Sequence, residues 1–301
     1  MNTIARKLVL SVLTVVLTVI ALGTTTFAWF TLTNTSVIQP FDAQVVADTG
    51  IEVAIGASNA DPLTLEWQTV ITTQDIYDYM ESVYGVDGFR FNHVSTTDGR
   101  NFTDLEGVGT TDGYLEIPLH FRSDNEQQIN WTQVGLSSLA SGWQTGVQFV
   151  DSQGVTRLAN STFSVNLMDA MKVSVTGIVD RALMTTGTTA FENPASATNT
   201  LSGGLSSADL SNGGVGDDGA LNYYYEVTNT LPTGTASVST VATVTSISNT
   251  LVLDMASGQS ATADAEYYGN IVVRVWFEGW DAEAYNSLLG RIISISLRFA
   301  A

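Results

Sequence analysis

The sequence predicts a mainly β protein: a sandwich or jelly-roll-like domain with one or two short helices, preceded by an N-terminal hydrophobic helix. Three observations support this fold class. Apolar and polar side chains alternate over many short runs. Val, Ile, Thr and aromatic residues fill these runs, and they suit the pleated, half-buried surface of a sheet. Gly, Asn, Asp and Ser separate the runs, as turns between closely spaced strands require.

The first 28 residues have the three parts of a secretory signal peptide. Two basic residues, Arg6 and Lys7, precede a long uncharged apolar run, and small residues then lead to a cleavage site after Ala28. A retained membrane anchor is the alternative, because the uncharged stretch continues past that site and about 20 apolar residues span a bilayer. In both cases we expect residues 29–301 to be exported, to the cell surface or beyond.

The exported part contains several runs with the alternation of a strand. We expect strands within residues 41–56 (two of them, around a turn), 113–123, 162–179, 221–229, 236–248, 270–279 and 291–300. Two of these runs place four apolar residues on one face: Leu115, Ile117, Leu119 and Phe121 in one, and Ile293, Ile295, Leu297 and Phe299 in the other. These faces are the predicted core.

Two helices are predicted. Thr73–Tyr84 begins with a capping threonine and acids in its first turn, and it ends before a glycine. Its residues Ile76, Met80 and Val83 lie on one face. Residues 281–289 begin with a capping aspartate and also end before a glycine, so we expect a strand–helix–strand unit near the end of the chain.

Residues 194–219 are rich in Gly, Ser and Asn and contain little apolar mass. This composition predicts a long exposed loop or insertion, because the segment cannot bury enough surface to order itself. The strands on both sides fit one enlarged β-sandwich over 29–301. A domain boundary near 190–220 is the alternative.

Charge excludes one class of function. The chain has 11 Lys and Arg against 30 Asp and Glu, a formal net charge of −19. Removal of residues 1–28 leaves 9 bases against 30 acids, a charge of −21, with Lys172 as the single lysine. Such a surface repels phosphate backbones, so we expect no nucleic-acid partner. The chain contains no cysteine, which excludes disulfides, zinc–thiolate sites and thiol nucleophiles.

Acidic residues on turns are the weak candidates for a metal site. Calcium prefers hard oxygen donors of this kind. The candidates are Asp98, Asp104, Asp112, Asp217 and Asp218, and a further acidic group is Glu278, Asp281 and Glu283. None of these groups matches an EF-hand or a glycine-rich calcium repeat, so solvated turn residues are the alternative. We expect no other cofactor.

The inventory of catalytic residues is thin, and we expect no enzyme. His120 lies on the polar side of a predicted strand and is expected at the surface, and His93 lies near Ser95 and Asp98 by chance. Zincin spacing, a nucleophile elbow and a phosphate loop are all missing. A secreted glycosidase stays as a weaker alternative, because that chemistry needs only two carboxylates. Four sequons, at Asn34, Asn101, Asn130 and Asn160, are sites for glycosylation if the organism modifies exported proteins.

Both ends of the chain carry a family resemblance. Residues 23–36 (GTTTFAWFTLTNTS) resemble the junction in secreted proteins processed by a SipW-type signal peptidase, the group of TasA-like biofilm-fibre proteins and camelysins. Residues 270–299 resemble the end of surface proteins with the same signal type. Residues 60–265 have no such resemblance. Camelysins have been described as metalloproteases, but no residue here matches that chemistry.

The resemblance implies a non-catalytic extracellular structural protein, a subunit of a biofilm-matrix filament or surface layer. In TasA-like fibres a donor strand from the N-terminal segment of one subunit inserts into the next. The matching stretch here is 29–46, with strand-forming residues on both sides of a proline. Its expected polymerisation residues are Trp29, Phe30, Val37, Ile38 and Phe41. The expected partners are other copies of the chain, and the signal peptidase and membrane during export.

Two alternatives stay open at this point. The stretch 29–46 can instead form the first edge strand of its own domain. The chain can also be a membrane-anchored surface or pilin-like protein that keeps its N-terminal helix and acts in adhesion, although the glutamate of the pilin signature is missing.

Overall fold

A computed structural model of the chain describes residues 36–37, 42–48, 50–85, 89–194, 201, 218–285 and 293–301. The strands are, in chain order, β1 Ser36–Val37, β2 Asp42–Ala47, β3 Glu52–Ile55, β4 Val70–Ile71, β5 Arg90–Phe91, β6 His93–Thr96, β7 Phe102–Thr103, β8 Gly109–Thr110, β9 Tyr114–Ser123, β10 Gln128–Ser138, β11 Ser141–Gln144, β12 Phe149–Val150, β13 Thr156–Arg157, β14 Thr162–Val165, β15 Met171–Asp180, β16 Thr185–Glu192, β17 Thr250–Asp254, β18 Ala256–Ser257, β19 Tyr267–Glu278 and β20 Ile293–Ala300. The helices are α1 Thr73–Tyr84, α2 Gly219–Thr228 and α3 Ser260–Ala263, with 3₁₀ turns at Pro62–Thr64, Leu167–Asp169 and Thr233–Ser237.

Two sheets pack face to face, so the mainly β prediction is confirmed. The small sheet has the order β17-β10-β20-β2-β4, and its β2 and β20 run parallel. The large sheet contains β16-β15-β19, then β9 and β3 beside β19, while β6, β7 and β8 continue from the end of β19. The N-terminal hydrophobic helix of the prediction lies outside the described residues. No helix within the described ranges is long and apolar enough to cross a membrane.

The core fills the space between the two inner faces. Both predicted apolar faces point into it: the four residues of β9 and the four of β20 are all at most 5% exposed. Phe121 of the large sheet meets Phe299 of the small sheet edge to face, with ring centroids 5.3 Å apart. Trp131 is fully buried beside them. Alternation within each strand therefore determines which side chains hold the two sheets together.

Helix α1 is confirmed with one shift at its start and one correction on its face. Thr72, not Thr73, is the N-cap, and it forms a capping box with Asp75. Ile76 and Met80 are buried, but the predicted third member of the face, Val83, is 52% exposed. The helix ends at Tyr84, which is the residue of this last turn that packs against the core.

The prediction of a strand over 221–229 was wrong, because these residues belong to α2. The buried residues of this helix are Gly219, Asn222 and Tyr223, which share one helical face. Asn229 ends the helix in the left-handed conformation, with φ 55°. Consecutive apolar residues without clear alternation fit a short helix as well as a strand, and packing decides between them.

One further prediction was wrong, and another is contradicted over the part of it that the structure describes. Residues 236–248 form the end of a 3₁₀ turn and an irregular segment, which touches the large sheet through a bridge between Val244 and Phe191. The Thr and Val residues of this segment pack on one side only. Residues 281–285 form turns rather than the start of a helix, and 286–289 lie outside the described residues. The predicted strand run over 162–179 is confirmed as two strands, separated by a 3₁₀ turn that Asn166 caps.

The outer face of the large sheet is covered as well. Ser174 on β15 donates a hydrogen bond of 2.8 Å to the carbonyl of Gly99, which lies in the turn between β6 and β7. Trp276 on β19 packs with Val94 and Phe102 in a second apolar cluster on that face. Polar side chains that alternation assigns to solvent are therefore buried here, and each needs a partner.

We expect Leu119→Ala to lower the free energy of unfolding by about 2–5 kcal/mol, because it empties a fully buried site between the two sheets. The matched control is Leu139→Ala, since Leu139 is 80% exposed and its loss should cost within about 0.5 kcal/mol. Urea unfolding followed by tryptophan fluorescence measures both. Equal effects of the two substitutions contradict the assigned core.

Candidate functional site

The main candidate site is a strand edge of the small sheet. Strand β10 pairs with β20 over residues 130–138, but with β17 only over 128–131. The register shifts by one residue near Trp131, and beyond that point the two strands separate. Within the described part of the chain, no strand pairs with the other edge of β10 over 133–138. The site is therefore an open edge about six residues long, close to the usual strand length.

The side chains at this edge are uncharged and incompletely covered. Val134 and Leu136 point toward the core and are only half-buried. Gln133 and Ser137 are exposed on the outer face. A strand added at this edge would cover the two apolar residues and satisfy backbone groups that otherwise contact water.

A shallow groove of about 220 Å³ runs beside this edge on the outer face of the small sheet. It exists because β20 and β10 place small residues opposite one another, for example Gly135 opposite Ser296. A side chain at Gly135 would collide with the hydroxyl of Ser296. The lining residues are Gln44, Gly135, Leu136, Ser137, Ser294, Ile295 and Ser296.

Two other edges of the sheets are covered in part. Val53 on β3 exchanges two backbone hydrogen bonds with Gln68, of 2.7 and 3.0 Å, and this segment leads directly into β4. At the opposite end of the large sheet, Glu192 and Ala190 on β16 form backbone hydrogen bonds with Val244. The first half of β16, over 185–188, and the outer edge of β17, over 250–254, have no strand partner among the described residues. The edge of β10 is longer than either of these.

The predicted polymerisation segment is described only in part. Trp29, Phe30, Ile38 and Phe41 lie outside the described residues. Val37 pairs with Arg90 in the antiparallel contact of β1 with β5. Residues 42–46, which the prediction also included, belong to β2 and lie between β20 and β4 in the chain's own sheet. Exchange between subunits would therefore involve 29–41, and Ser36–Val37 would give up their contact with β5 for it.

His120 is buried, which corrects the prediction of a surface residue. Its Nδ1 lies 2.7 Å from the hydroxyl of Tyr268, and its Nε2 lies 3.0 Å from the carbonyl of Ala57. Nε2–H donates to that carbonyl, so Nδ1 accepts from Tyr268 and the ring is neutral. Burial lowers the pKa of His120 and outweighs its carbonyl contacts. This histidine fastens a loop onto the outer face of the large sheet.

His93 has a similar structural role. Its Nε2 lies 3.0 Å from the carbonyl of Ala284 and its ring meets Phe277 edge to face. Burial lowers the pKa of His93 to about 4, although the contact with Ala284 opposes the shift. A histidine that is neutral across the physiological range ties the turn at 281–285 to the end of the large sheet.

The candidate calcium ligands use their oxygens within separate turns. One carboxylate oxygen of Asp98 accepts backbone hydrogen bonds from Arg100 and Asn101, each of 2.8 Å. Burial opposes ionisation of Asp98, but these donors and neighbouring side chains outweigh it and lower its pKa to about 2. Asp104 accepts from the backbone of Glu106 and Val108 in the next turn.

The remaining candidates do not join these two turns. Asp112 lies in the turn before β9, Asp218 is buried just before α2, and Asp217 is outside the described residues. Over the ranges that the structure describes, no three acidic or histidine side chains come together as a metal site. The sequence pattern of acids on turns is explained by backbone capping at Asp98 and Asp104.

The sequons occupy different environments. Asn101 and Asn160 are exposed in turns, and the side-chain amide of Asn101 donates to Asp98. Asn130 is half-buried within β10, between β17 and β20. Asn34 lies outside the described residues.

The sequence patterns did not predict that a group of charged residues lies buried together. Lys172 on β15 is 1% exposed and forms an ion pair with Glu192 on β16, with Nζ 2.9 Å from Oε2. Glu278 and Asp281 are buried nearby, at 0% and 2% exposure. Glu278 accepts hydrogen bonds from the indole of Trp276 and the backbone of Trp280. The signal that could have revealed the group is the single lysine of 29–301, placed in a strand that is apolar on its other face.

Two more acids lie at the adjacent turn. Glu283 accepts a hydrogen bond of 2.9 Å from the hydroxyl of Ser152. Burial raises the pKa of Glu283 to about 7, and the charge of the neighbouring Asp169 adds to this shift. Burial also raises the pKa of Asp169. The two carboxyl groups therefore hold a proton between them at neutral pH, as close carboxyl pairs do.

Comparison of the chain with protein-family models, with curated proteins and with solved structures found no match.

The proton at Glu283 gives the stability a pH dependence with a defined sign. A glutamate that titrates near 4.5 when unfolded and near 7 when folded stabilises the fold fully below 4.5, and this contribution disappears as the pH rises through 7. The contribution of Glu283 to the free energy of unfolding should fall by roughly 1–2 kcal/mol from about pH 5 to about pH 8, whereas the contribution of His93, whose pKa is lowered to about 4, should rise over the same range. The stability difference between the unsubstituted chain and Glu283→Gln isolates the Glu283 contribution, and urea titrations at fixed pH values should show that this difference shrinks between these pH values.

The control is Asp98, whose contribution to stability depends on pH with the opposite sign. Because the pKa of Asp98 is lowered to about 2 in the folded chain, its contribution is present above its ordinary value of 3.8 and is lost in acid. Asp98→Asn should therefore destabilise at neutral pH and leave the slope between about pH 5 and about pH 8 as in the unsubstituted chain. A Glu283→Gln slope equal to that of the unsubstituted chain excludes the shared proton.

Proposed function

We propose that this chain is a non-catalytic extracellular structural subunit, a jelly-roll-like sandwich exported behind its N-terminal hydrophobic segment. In this proposal the subunits assemble into a filament or surface layer by β-strand addition. The observation that carries the proposal is the open, uncharged edge of β10 over 133–138, beside half-buried Val134 and Leu136. The family resemblance at the two ends of the chain supports the same function.

The residues of this edge are typical of an edge that accepts a strand, rather than of one that is protected against strand addition. Soluble β proteins protect exposed edges with lysine, proline, inward charges or covering loops. The described edges at β3 and the second half of β16 are covered by backbone partners. By contrast, 133–138 has the sequence QVGLSS, with no charge and no proline. An edge of this kind favours a partner strand.

The donor in this proposal is the stretch 29–41 of a neighbouring subunit. It has the sequence WFTLTNTSVIQPF, which is uncharged and rich in strand-forming residues. An uncharged donor suits an acidic subunit, because it brings no further negative charge to the contact. Trp29 and Phe30 supply aromatic surface, which contributes most of the binding energy in many interfaces.

The first test blocks the acceptor edge. We expect Gln133→Lys combined with Ser137→Lys to reduce filament formation by about tenfold or more, which corresponds to about 1.4 kcal/mol per subunit contact. Both side chains are exposed, so the fold should persist. The measurement is the sedimenting fraction together with negative-stain microscopy.

The matched control is Thr185→Lys combined with Thr186→Lys, two exposed residues on the shorter open edge of β16. Filaments should form normally with this variant. If the β16 variant loses assembly and the β10 variant keeps it, the acceptor edge is assigned to the wrong strand. Normal filaments from both variants refute strand addition at either edge.

The second test removes the donor. Deletion of residues 29–39 should leave a folded monomer, since β2 and its partners β20 and β4 are retained. The deleted chain should not assemble alone, and it should cap the growing ends of filaments of the full chain through its intact acceptor edge. Light scattering during assembly measures both effects. A deleted chain that polymerises like the full chain contradicts the proposal.

A further inference from the structure

Lys172 is in an unusual position for a lysine. Lysine side chains are almost never fully buried unless they are paired, because the ammonium group is strongly hydrated. Here the whole side chain lies on the outer face of the large sheet, beneath the segments that cover that face, and it is 1% exposed. Lys172 and Glu192 occupy directly opposed positions on the antiparallel strands β15 and β16, and Nζ lies 2.9 Å from Oε2 of Glu192.

Glu192 is held rigidly in this contact. Its backbone N–H donates to the carbonyl of Val244, and its other carboxylate oxygen, Oε1, accepts a hydrogen bond of 2.5 Å from the hydroxyl of Thr243. Oε2 lies 2.9 Å from the lysine nitrogen, and no other donor among the described residues reaches it. The two carboxylate oxygens therefore differ: one is polarised by a hydroxyl, and the other faces the amine.

The surroundings are dry and acidic. Trp276, the cross-strand neighbour of Lys172 on β19, packs with Phe102 and Ala190 over this part of the sheet. Glu278 and Asp281 are buried on the same side, and the charge of Lys172 acts on Asp281. One cation thus lies among several acids in a region that excludes water, where ion pairs are costly to keep.

We propose that Lys172 and Glu192 condense to form an intramolecular isopeptide bond that links β15 covalently to β16. In the reaction a proton first moves from the ammonium group to the carboxylate, which gives a neutral amine and a carboxylic acid. The lone pair of Nζ then forms a bond to Cδ of Glu192. The bond from Cδ to Oε2 breaks, and that oxygen leaves with two protons as one water molecule. No oxidant, reductant or cofactor is needed.

The local geometry assigns a role to each neighbour. Because Oε2 is bonded directly to Cδ, the 2.9 Å contact holds the amine within van der Waals range of the carbon that it attacks. The hydroxyl of Thr243 stabilises the negative charge that develops on Oε1. Asp281 is buried on the same side, where the charge of Lys172 acts on it and burial favours its protonated form, so we assign it the role of passing the second proton from the amine to the leaving oxygen.

The product also removes an energetic problem. An amide is neutral, and a neutral group of similar size is often more stable in a protein interior than a buried ion pair. Hydrolysis of the bond needs a water molecule at this site. Because the site is closed to solvent once the released water has left, hydrolysis is disfavoured. The bond gives a chain without cysteine a covalent link across its sheet.

Mass spectrometry of the full chain, purified and denatured, tests the proposal directly. The expected result is a mass lower than that of the processed sequence by one water molecule. Trypsin should fail to cleave after Lys172, and fragments 158–181 and 182–274 should remain joined. A chain with the full sequence mass and normal cleavage after Lys172 overturns the proposal. A cross-link that maps to Asp281 or Glu278 overturns the assignment to Glu192.

Three variants sharpen the test. Lys172→Arg keeps the positive charge but should abolish the mass deficit, and Asp281→Asn should lower the fraction of cross-linked chain by about tenfold if proton donation contributes as in other acid catalysis. Arg274→Lys is the matched control: it places a lysine opposite the more exposed carboxylate of Glu116, now 2.8 Å from Arg274, and should produce no second deficit. A full deficit in Asp281→Asn excludes the role of Asp281. The wild-type measurement stands even if a variant fails to fold.

Discussion

The large sheet is covered on both faces at the end of β19. Because both faces are buried there, the polar side chains of this region must have partners inside the protein. Alternation places Glu278 and Lys172 away from the sandwich core, where a two-layer protein would expose them to water. Here the β6–β7 region and the segment near Val244 cover that face. Each buried polar group must then find a partner or change its charge state. The ion pair of Lys172 and the indole bond to Glu278 follow from this constraint, and the neutral His120 follows from a separate cover, the loop at Ala57 near the start of β19.

The parts of the fold that the sequence predicts well are those where one local pattern and one burial requirement agree. The four apolar residues of β9 and of β20 are examples, as is the capping box of α1. The prediction over 221–229 failed because its run of apolar residues fits a short helix as well as a strand, and the prediction over 236–248 failed because that segment meets a neighbouring strand only through the bridge between Val244 and Phe191. His120 was misplaced for a related reason. Alternation shows which face a side chain is on, but it does not show whether that face is covered.

Of the two parts of the candidate site, the sequence predicts only the donor segment and not the edge that would accept it. The strand-forming character of 29–41 is visible in the residues themselves. The acceptor edge is not, because QVGLSS becomes an open edge only when β17 stops pairing at the register shift near Trp131. Similarly, a single lysine is easy to find in a sequence, but its position opposite Glu192 depends on the pairing of β15 with β16. Edges and cross-strand pairs are properties of the sheet topology, which no short segment contains.

The parallel pairing of β2 with β20 sets the order of events when the chain folds. Asp42–Ala47 lies against Ile293–Ala300, so the small sheet joins residues from near the two ends of the chain. Contacts of such long sequence separation form slowly, because most of the chain must be ordered between them. A partly synthesised or partly translocated chain therefore has an incomplete small sheet, in which β2 lacks its partner. The open edge of β10 exists only after that closure, since β20 is also the strand that holds β10 in place. In the assembly proposed above, a subunit therefore acquires its acceptor edge only once its own small sheet has closed.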